Sequence, residues 1–231
     1  MPWVMSQSWR RLLFAHWRVP ASVLRPLIPS ELTLEEYDGT AWLGQVPFVL
    51  RDMRMRGMPA LSAISFPEMN LRTYVRYGSR SGIWFFTLEA ASHLAVKGAR
   101  TFFRLPYHHA HMHVSEHGGW IEYRSTRTNG NAVFEGRYRP AGAAFEPRHG
   151  TLEHFLTERY ALFTVLRNGR VLRGDIHHGP WQLQPAEAEI SLNTVPAAHG
   201  IALPDSRPLL HYSQRQDTLI WAPRLDDERQ N

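Results

Sequence analysis

Four polar side chains recur at every second position in Glu68-Met69-Asn70-Leu71-Arg72-Thr73-Tyr74. Alternate residues of an extended strand share one face, so Glu68, Asn70, Arg72 and Tyr74 form a row of carboxyl, amide, guanidinium and phenol. Lining a cavity, that row is equipped to hold a carboxylate ligand or to move a proton. On a wet face the same row is a ladder of ion pairs and hydrogen bonds. Alternation alone leaves both readings open.

A second concentration of chemistry is Leu105-Pro106-Tyr107-His108-His109-Ala110-His111-Met112-His113. In a strand, His109, His111 and His113 share one side and His108 takes the other. Histidines at i and i+2 can ligate one zinc, but a third ligand must come from elsewhere, such as His117 or the pair His177-His178. The competing reading is a solvated face of histidines. No tight motif of the H-E-x-x-H kind supports the metal, so none is assigned.

The chain carries 26 Lys+Arg residues, and Lys97 is the single lysine. A lysine of depressed pKa can attack a carbonyl to form an imine, and a guanidinium cannot. Imine chemistry through a side chain would therefore fall on Lys97. There is no cysteine, hence no disulfide and no thiolate nucleophile. The patterns G-x-S-x-G, G-x-x-x-x-G-K-[ST] and G-x-G-x-x-G are missing, so no cofactor is expected.

The elements that position these residues read as mostly strands. Residues 9–18 form a strand that ends at Val19-Pro20, and Pro20 opens a short helix over 21–26. Asp38-Gly39 marks a hairpin before a strand at 41–50. The connection 53–65 is rich in Met, Gly and Pro. It is unusually apolar for an exposed loop and is expected to cover a pocket mouth. Strands follow at 69–77 and 82–88, then a helix over 89–103. Further strands at 105–114, 120–126 and 132–139 include an Asn129-Gly130 turn. A helix capped by Thr151 is predicted over 151–166. Strands at 170–177, 181–190 and 210–222 precede a polar, frayed tail from Asp226. The whole chain, 1–231, reads as one β-rich α+β domain.

The content of 43% hydrophobic and 20% charged residues is that of a soluble globular protein. No stretch reaches the ~18 apolar residues of a membrane span, and the amino terminus lacks the order of a signal peptide, so a cytoplasmic location is expected. The net charge of +5 invites nucleic acid, but the arginines are dispersed and no recognition motif accompanies them.

Several ordered segments resemble the DUF2071 (YqjF-like) family. They are His16-Trp17-Arg18-Val19-Pro20, Ile28-Pro29, Asp38-Gly39-Thr40-Ala41-Trp42, Glu68–Tyr74, Ala99-Arg100 with Leu105-Pro106-Tyr107, and Leu210-His211-Tyr212-Ser213. That family looks like a branch of the acetoacetate decarboxylase-like superfamily. The resemblance implies a closed β-barrel within a larger curved antiparallel sheet, with a few short helices and a pocket inside the barrel. It also implies assembly into larger rings or dimers. It places Arg10 at a pocket arginine, and Gln45 and Glu68 at two pocket glutamates. Tyr107 and His108 fall where the decarboxylases keep the reactive lysine and its electrostatic partner. Neither forms an imine, and Lys97 lies in the preceding segment. The implied site is therefore catalytic Glu68, Tyr107 and His108, with Arg10, Gln45, Asn70 and Arg72 binding a small, carboxylated molecule. Two functions stay open, with a basic nucleic-acid-binding domain the least favoured third. One is a lyase-type acid–base enzyme on a small organic acid or carbonyl compound, and the other is a small-molecule binding protein without catalysis.

Overall fold

A computed structural model describes residues 2–226. The strands are β1 (Met5–Val19), β2 (Thr33–Leu34), β3 (Glu36–Tyr37), β4 (Thr40–Met55), β5 (Ile64–Tyr77), β6 (Arg80–Ala90) and β7 (Tyr107–His117). They continue as β8 (Trp120–Arg127), β9 (Val133–Pro140), β10 (Ala161–Val165), β11 (Val171–His178), β12 (Gln184–Asn193), β13 (Leu209–Ile220) and β14 (Arg224–Leu225). The helices are short: α1 (Ala21–Leu24), α2 (His93–Gly98) and α3 (Leu152–Thr157).

Along the sheet the order is β14-β11-β10-β6-β7-β8-β9-β12-β13-β1-β4-β5-β2, with β3 on β4. Additional pairings of β5 with β6 and of β11 with β13 curl the sheet, so that β1, β4, β5, β6, β10, β11 and β13 follow one another around a ring. Long antiparallel ladders join β13, β1, β4, β5 and β6. By contrast, β10 meets β6 at one parallel pair, Leu162 with Ile83. The ring is thus partial where a closed barrel was expected. The sheet is also mixed instead of antiparallel, because β6 pairs in parallel with both β7 and β10. A parallel partner needs a crossover, and α2 with the turn after it supplies the one between β6 and β7.

Gly82 sits where β10 crosses β6. A Cβ there would lie 2.7 Å from the Ala161 carbonyl oxygen and 2.7 Å from the Phe163 ring. Gly82→Ala is expected to lower the unfolding free energy by about 1–3 kcal/mol, read as a lower urea midpoint. An unchanged midpoint would show that β10 gives way freely.

The ring strands β1, β4 and β5 are buried on both faces, which explains the nearly continuous apolar run at 41–50. On one face Leu13, Leu43, Met69 and Leu71 belong to a core with Tyr123 and Phe134 of β8 and β9. On the other, Leu12, Phe14, Val46, Phe48 and Phe66 cluster with Trp181.

Two predicted helices are shorter than expected. Thr151 does cap α3, its hydroxyl accepting from the His154 amide, but the helix stops at Thr157. Tertiary contacts override propensity just beyond it. Arg159 pairs with Glu35 at 2.5 Å and lies over the Phe155 and Tyr74 rings, and the chain continues directly into β10. The segment predicted helical over 89–103 begins with the end of β6. Its helical part is α2 followed by a π-helical turn, Ala99–Phe103, that ends on Arg104 in the left-handed region at φ 56°. Of the expected frayed tail, Asp226 is tied to Arg173 at 2.9 Å, and residues 227–231 lie outside the described residues. No helix among the described residues is long and apolar enough to cross a membrane.

Candidate functional site

The concave side of the ring encloses a cavity of about 740 Å³. From β5, Phe66, Glu68, Asn70 and Arg72 face into it, as period two requires. Glu68, Asn70 and Arg72 are only 5%, 6% and 7% exposed, so the polar row lines a cavity and not open water. The end of β4 contributes Met53 and Met55 to the lining, and the connection after it contributes Met58 and Ser62.

Tyr107, at the start of β7, donates its hydroxyl to Glu68 Oε1 at 3.0 Å. The position is set by the parallel pairing of Leu88 with Tyr107. Burial pushes the Glu68 carboxyl up to about 8, and the Tyr107 hydrogen bond only partly opposes this. Burial and the neighbouring carboxyl hold the Tyr107 phenol well above its ordinary value. At neutral pH the pair is therefore a carboxylic acid and a phenol, both neutral. An acid titrating close to working pH suits general acid–base chemistry.

Arg72 lies over Phe14 and Tyr74, at 5.5 and 5.9 Å from their ring centroids. Its Nη2 donates to the Leu156 carbonyl at 3.3 Å, its Nε is buried without a partner, and it has no carboxylate partner among the described residues. Asn70 Oδ1 is also buried without a partner. Beneath them the Tyr74 hydroxyl donates to Leu156 O at 2.8 Å and meets His16 Nε2 at 2.6 Å. A buried guanidinium without a counter-ion is costly, and an anion in the cavity would relieve that cost.

The other sequence-derived residues lie elsewhere. Arg10 does not line the cavity, and its Nε donates to Ser8 Oγ at 2.9 Å. The cause is a bulge: Arg11 has φ 56°, and between Arg10 and Ala15 β1 spends one residue more than β4 does opposite it, so Trp9 and Leu12 both face inward and Arg10 is turned out. Gln45 is fully buried on the opposite face of β4 from Val46, bonded to Asn193 at 2.7 Å and Met69 sulfur at 3.2 Å. His108 falls on the other side of β7 from Tyr107, where burial and then Arg127 and Arg100 lower its pKa to about 4. Lys97 is exposed on α2, while Leu94, Ala95 and Gly98 of that helix line the cavity.

The histidine face is not assembled as a metal centre. Among the described residues no group of three or more His, Asp or Glu side chains is placed to hold a metal. His109 stacks on His93 with ring centroids 3.4 Å apart, and its Nδ1 meets Thr128 Oγ1 at 2.7 Å. Residue types alone did not single out Trp9, Trp181 and Arg159, which also line the cavity; His178, offered above only as a possible zinc ligand, lines it too. Arg159 was hidden inside a predicted helix. Trp9 of β1 and Trp181 of the connection between β11 and β12 are stacked with centroids 6.1 Å apart, a contact between distant segments that no local pattern signals.

The DUF2071 family model, described as an uncharacterized conserved protein, matches residues 6–217. The chain belongs to the DUF2071 family. It is 52% identical over 224 residues to the uncharacterized protein YqjF of Bacillus subtilis (strain 168), covering 96% of this chain and 92% of that one. Among solved structures, the enduracididine biosynthesis enzyme MppR complexed with pyruvate aligns with a TM-score of 0.70 at 12% identity, over 97% of this chain and 91% of its own. An acetoacetate decarboxylase-like enzyme from Sphingomonas wittichii RW1 aligns at 0.64 and 12% identity, over 98% and 94%. The acetoacetate decarboxylase of Legionella pneumophila aligns at 0.63 and 12% identity, over 98% and 90%. This DUF2071 chain therefore shares the acetoacetate decarboxylase-like fold.

Proposed function

We propose that this protein is a lyase-type acid–base enzyme that acts on a carboxylated carbonyl compound without forming an imine. The observation that carries this reading is the neutral, buried Glu68 bonded to Tyr107 in the same cavity as Arg72, a guanidinium without a carboxylate partner. Arg72 takes over the anchoring role that the resemblance gave to Arg10. In a 3-oxo acid the bond to the carboxyl carbon breaks with loss of CO2, its electron pair passes to the carbonyl oxygen, and Glu68 delivers its proton there to give the enol. The Tyr107 hydroxyl then stabilises the carboxylate left behind. The pyruvate in the MppR structure supports an oxo acid as the kind of molecule this fold accepts.

The test is a nuclear magnetic resonance time course with a panel of 2-oxo and 3-oxo acids. The acid form of Glu68 is lost as pH rises through about 8, so kcat/KM is expected to fall tenfold per pH unit above that value. Glu68→Gln is expected to abolish turnover while Kd stays within about threefold, since the amide keeps an acceptor for Tyr107. Arg72→Met is expected to weaken binding by roughly 10- to 100-fold, the loss of a charge-assisted hydrogen bond. Turnover unchanged by Glu68→Gln would overturn the mechanism. Saturable binding with no product from any member of the panel would leave a carrier protein.

A further inference from the structure

The polar row accounts for a small part of the cavity. Along β5 the lining runs from Ile64 through Phe66 to Glu68, Asn70 and Arg72. Eight strand steps separate Ile64 from Arg72, which is roughly 26 Å of wall at ~3.3 Å per residue. Between the mouth and Glu68 the lining includes Leu50, Met53, Ile64 and Phe66, all apolar. At the mouth the apolar surface reaches solvent: Met55 and Met58 are 51% and 50% exposed, and Leu94 and Phe102 are each 74% exposed. All four line the same cavity.

A six-heavy-atom oxo acid bound at Arg72 and Glu68 would leave most of this volume as apolar wall facing water. That arrangement is unfavourable in proportion to the exposed area. A cavity of about 740 Å³ encloses a much larger molecule. Exposed apolar side chains gathered at one opening mark an entry for apolar matter, since scattered ones carry no such meaning. A fatty acyl chain reaches roughly 15 Å, half the thickness of a bilayer's hydrocarbon core, and fits within the length of wall between Arg72 and the mouth.

We infer that the ligand is an amphiphilic carboxylic acid, with its carboxylate at Arg72 and Asn70 and a long apolar chain running past Glu68 to the Met55–Met58–Phe102 mouth. The assignment rests on Arg72 as the carboxylate anchor, and it adds the tail. The orphaned Asn70 oxygen accepts a hydrogen bond from a donor beside the carboxylate, such as a hydroxyl group or an enol. The chain displaces water from the apolar wall and leaves Glu68 in the low-dielectric surroundings that keep it protonated.

Calorimetric titration of the full-length protein tests this with butyrate, octanoate, dodecanoate and hexadecanoate below their micelle concentrations, and with 1-dodecanol and pyruvate. Affinity is expected to rise roughly three- to fourfold per methylene until the chain fills the cavity, the ratio that burial of one CH₂ produces. Dodecanoate is then expected to bind at least 1,000-fold more tightly than butyrate, with one molecule per chain. A flat series, pyruvate binding as tightly as dodecanoate, or several molecules adsorbing per chain would each overturn the tail. Dodecanol matching dodecanoate, with Arg72→Met unchanged, would instead overturn the anchor while the chain-length slope persisted. The two failures are thus separable. Phe102→Ser, an exposed rim substitution that spares the fold, is expected to reduce dodecanoate affinity several-fold and leave butyrate unaffected. Equal effects on both would overturn the path of the chain.

Discussion

At pH 9 the Glu68→Gln variant is expected to unfold at a clearly higher urea concentration than the wild type, whereas at pH 4 the two unfold together. The reason is the proton on Glu68. Its carboxyl titrates at about 8 in the folded chain against 4.5 when exposed. Below pH 4.5 both states carry the proton and the group contributes no pH-dependent difference. Between 4.5 and 8 the unfolded chain ionises while the folded chain keeps its proton, so wild-type stability falls as pH rises. Above about 8 the folded chain holds a buried carboxylate, and the full penalty, about 4–5 kcal/mol as an upper figure, is in place. Glutamine has the shape of the protonated acid, accepts from Tyr107 and never ionises. The difference between the two proteins isolates this one group, because every other titration is common to both. Denaturant midpoints measured at pH 4, 6, 8 and 9 check it. A wild-type-to-variant gap that stays constant across pH would mean that Glu68 titrates near its ordinary value, and the acid role would go with it.

That Glu68 faces the same way as Asn70 and Arg72 is legible from the sequence, because a strand's period of two is a property of the local backbone. Whether that face meets water or a cavity is not local. It depends on β5 joining β6 and β4 in a curled sheet that is completed by β1 and by β10, β11 and β13 from the far end of the chain. Arg10 shows a different limit. A single residue in the left-handed region at Arg11 shifts the parity of everything before it, and alternation of residue types carries no mark of that bulge. The overlong helix at 151–166 fails for a third reason. The partners that pull Arg159 out of helical geometry, Glu35 and Tyr74, lie more than 80 residues away. Tyr107 was reached only through the family resemblance, and its bond to Glu68 spans 39 residues between strands that are not neighbours in the chain order. Alternation therefore identified the polar row that lines the cavity, while the Glu68–Tyr107 pair depended on topology.

On the side of β6 away from Glu68, a second buried charge makes the other large effect. Glu89, 1% exposed, forms a bidentate ion pair with Arg127 of β8. Thr87 donates to Glu89 Oε1 at 3.1 Å and accepts from Arg127 Nη2 at 3.0 Å, and Arg127 also meets His199 Nε2 at 3.1 Å. The pair ties the ring strand β6 to the outer strand β8, two strands that do not pair directly. Arg127→Met is expected to cost about 3–5 kcal/mol, because it strands the Glu89 carboxylate in a site built to exclude water. Glu89→Leu alone leaves the guanidinium uncompensated, but Arg127 is 9% exposed and has His199 beside it, so its loss is expected to be smaller. The double variant removes both charges together. It is expected to be more stable than Arg127→Met by at least 2 kcal/mol, since replacing a buried pair with apolar groups is far less costly than breaking it. Urea unfolding of the four proteins closes the cycle. Strictly additive losses would show that each side chain acts through its own packing, and that the pair does not hold β6 against β8 as a unit.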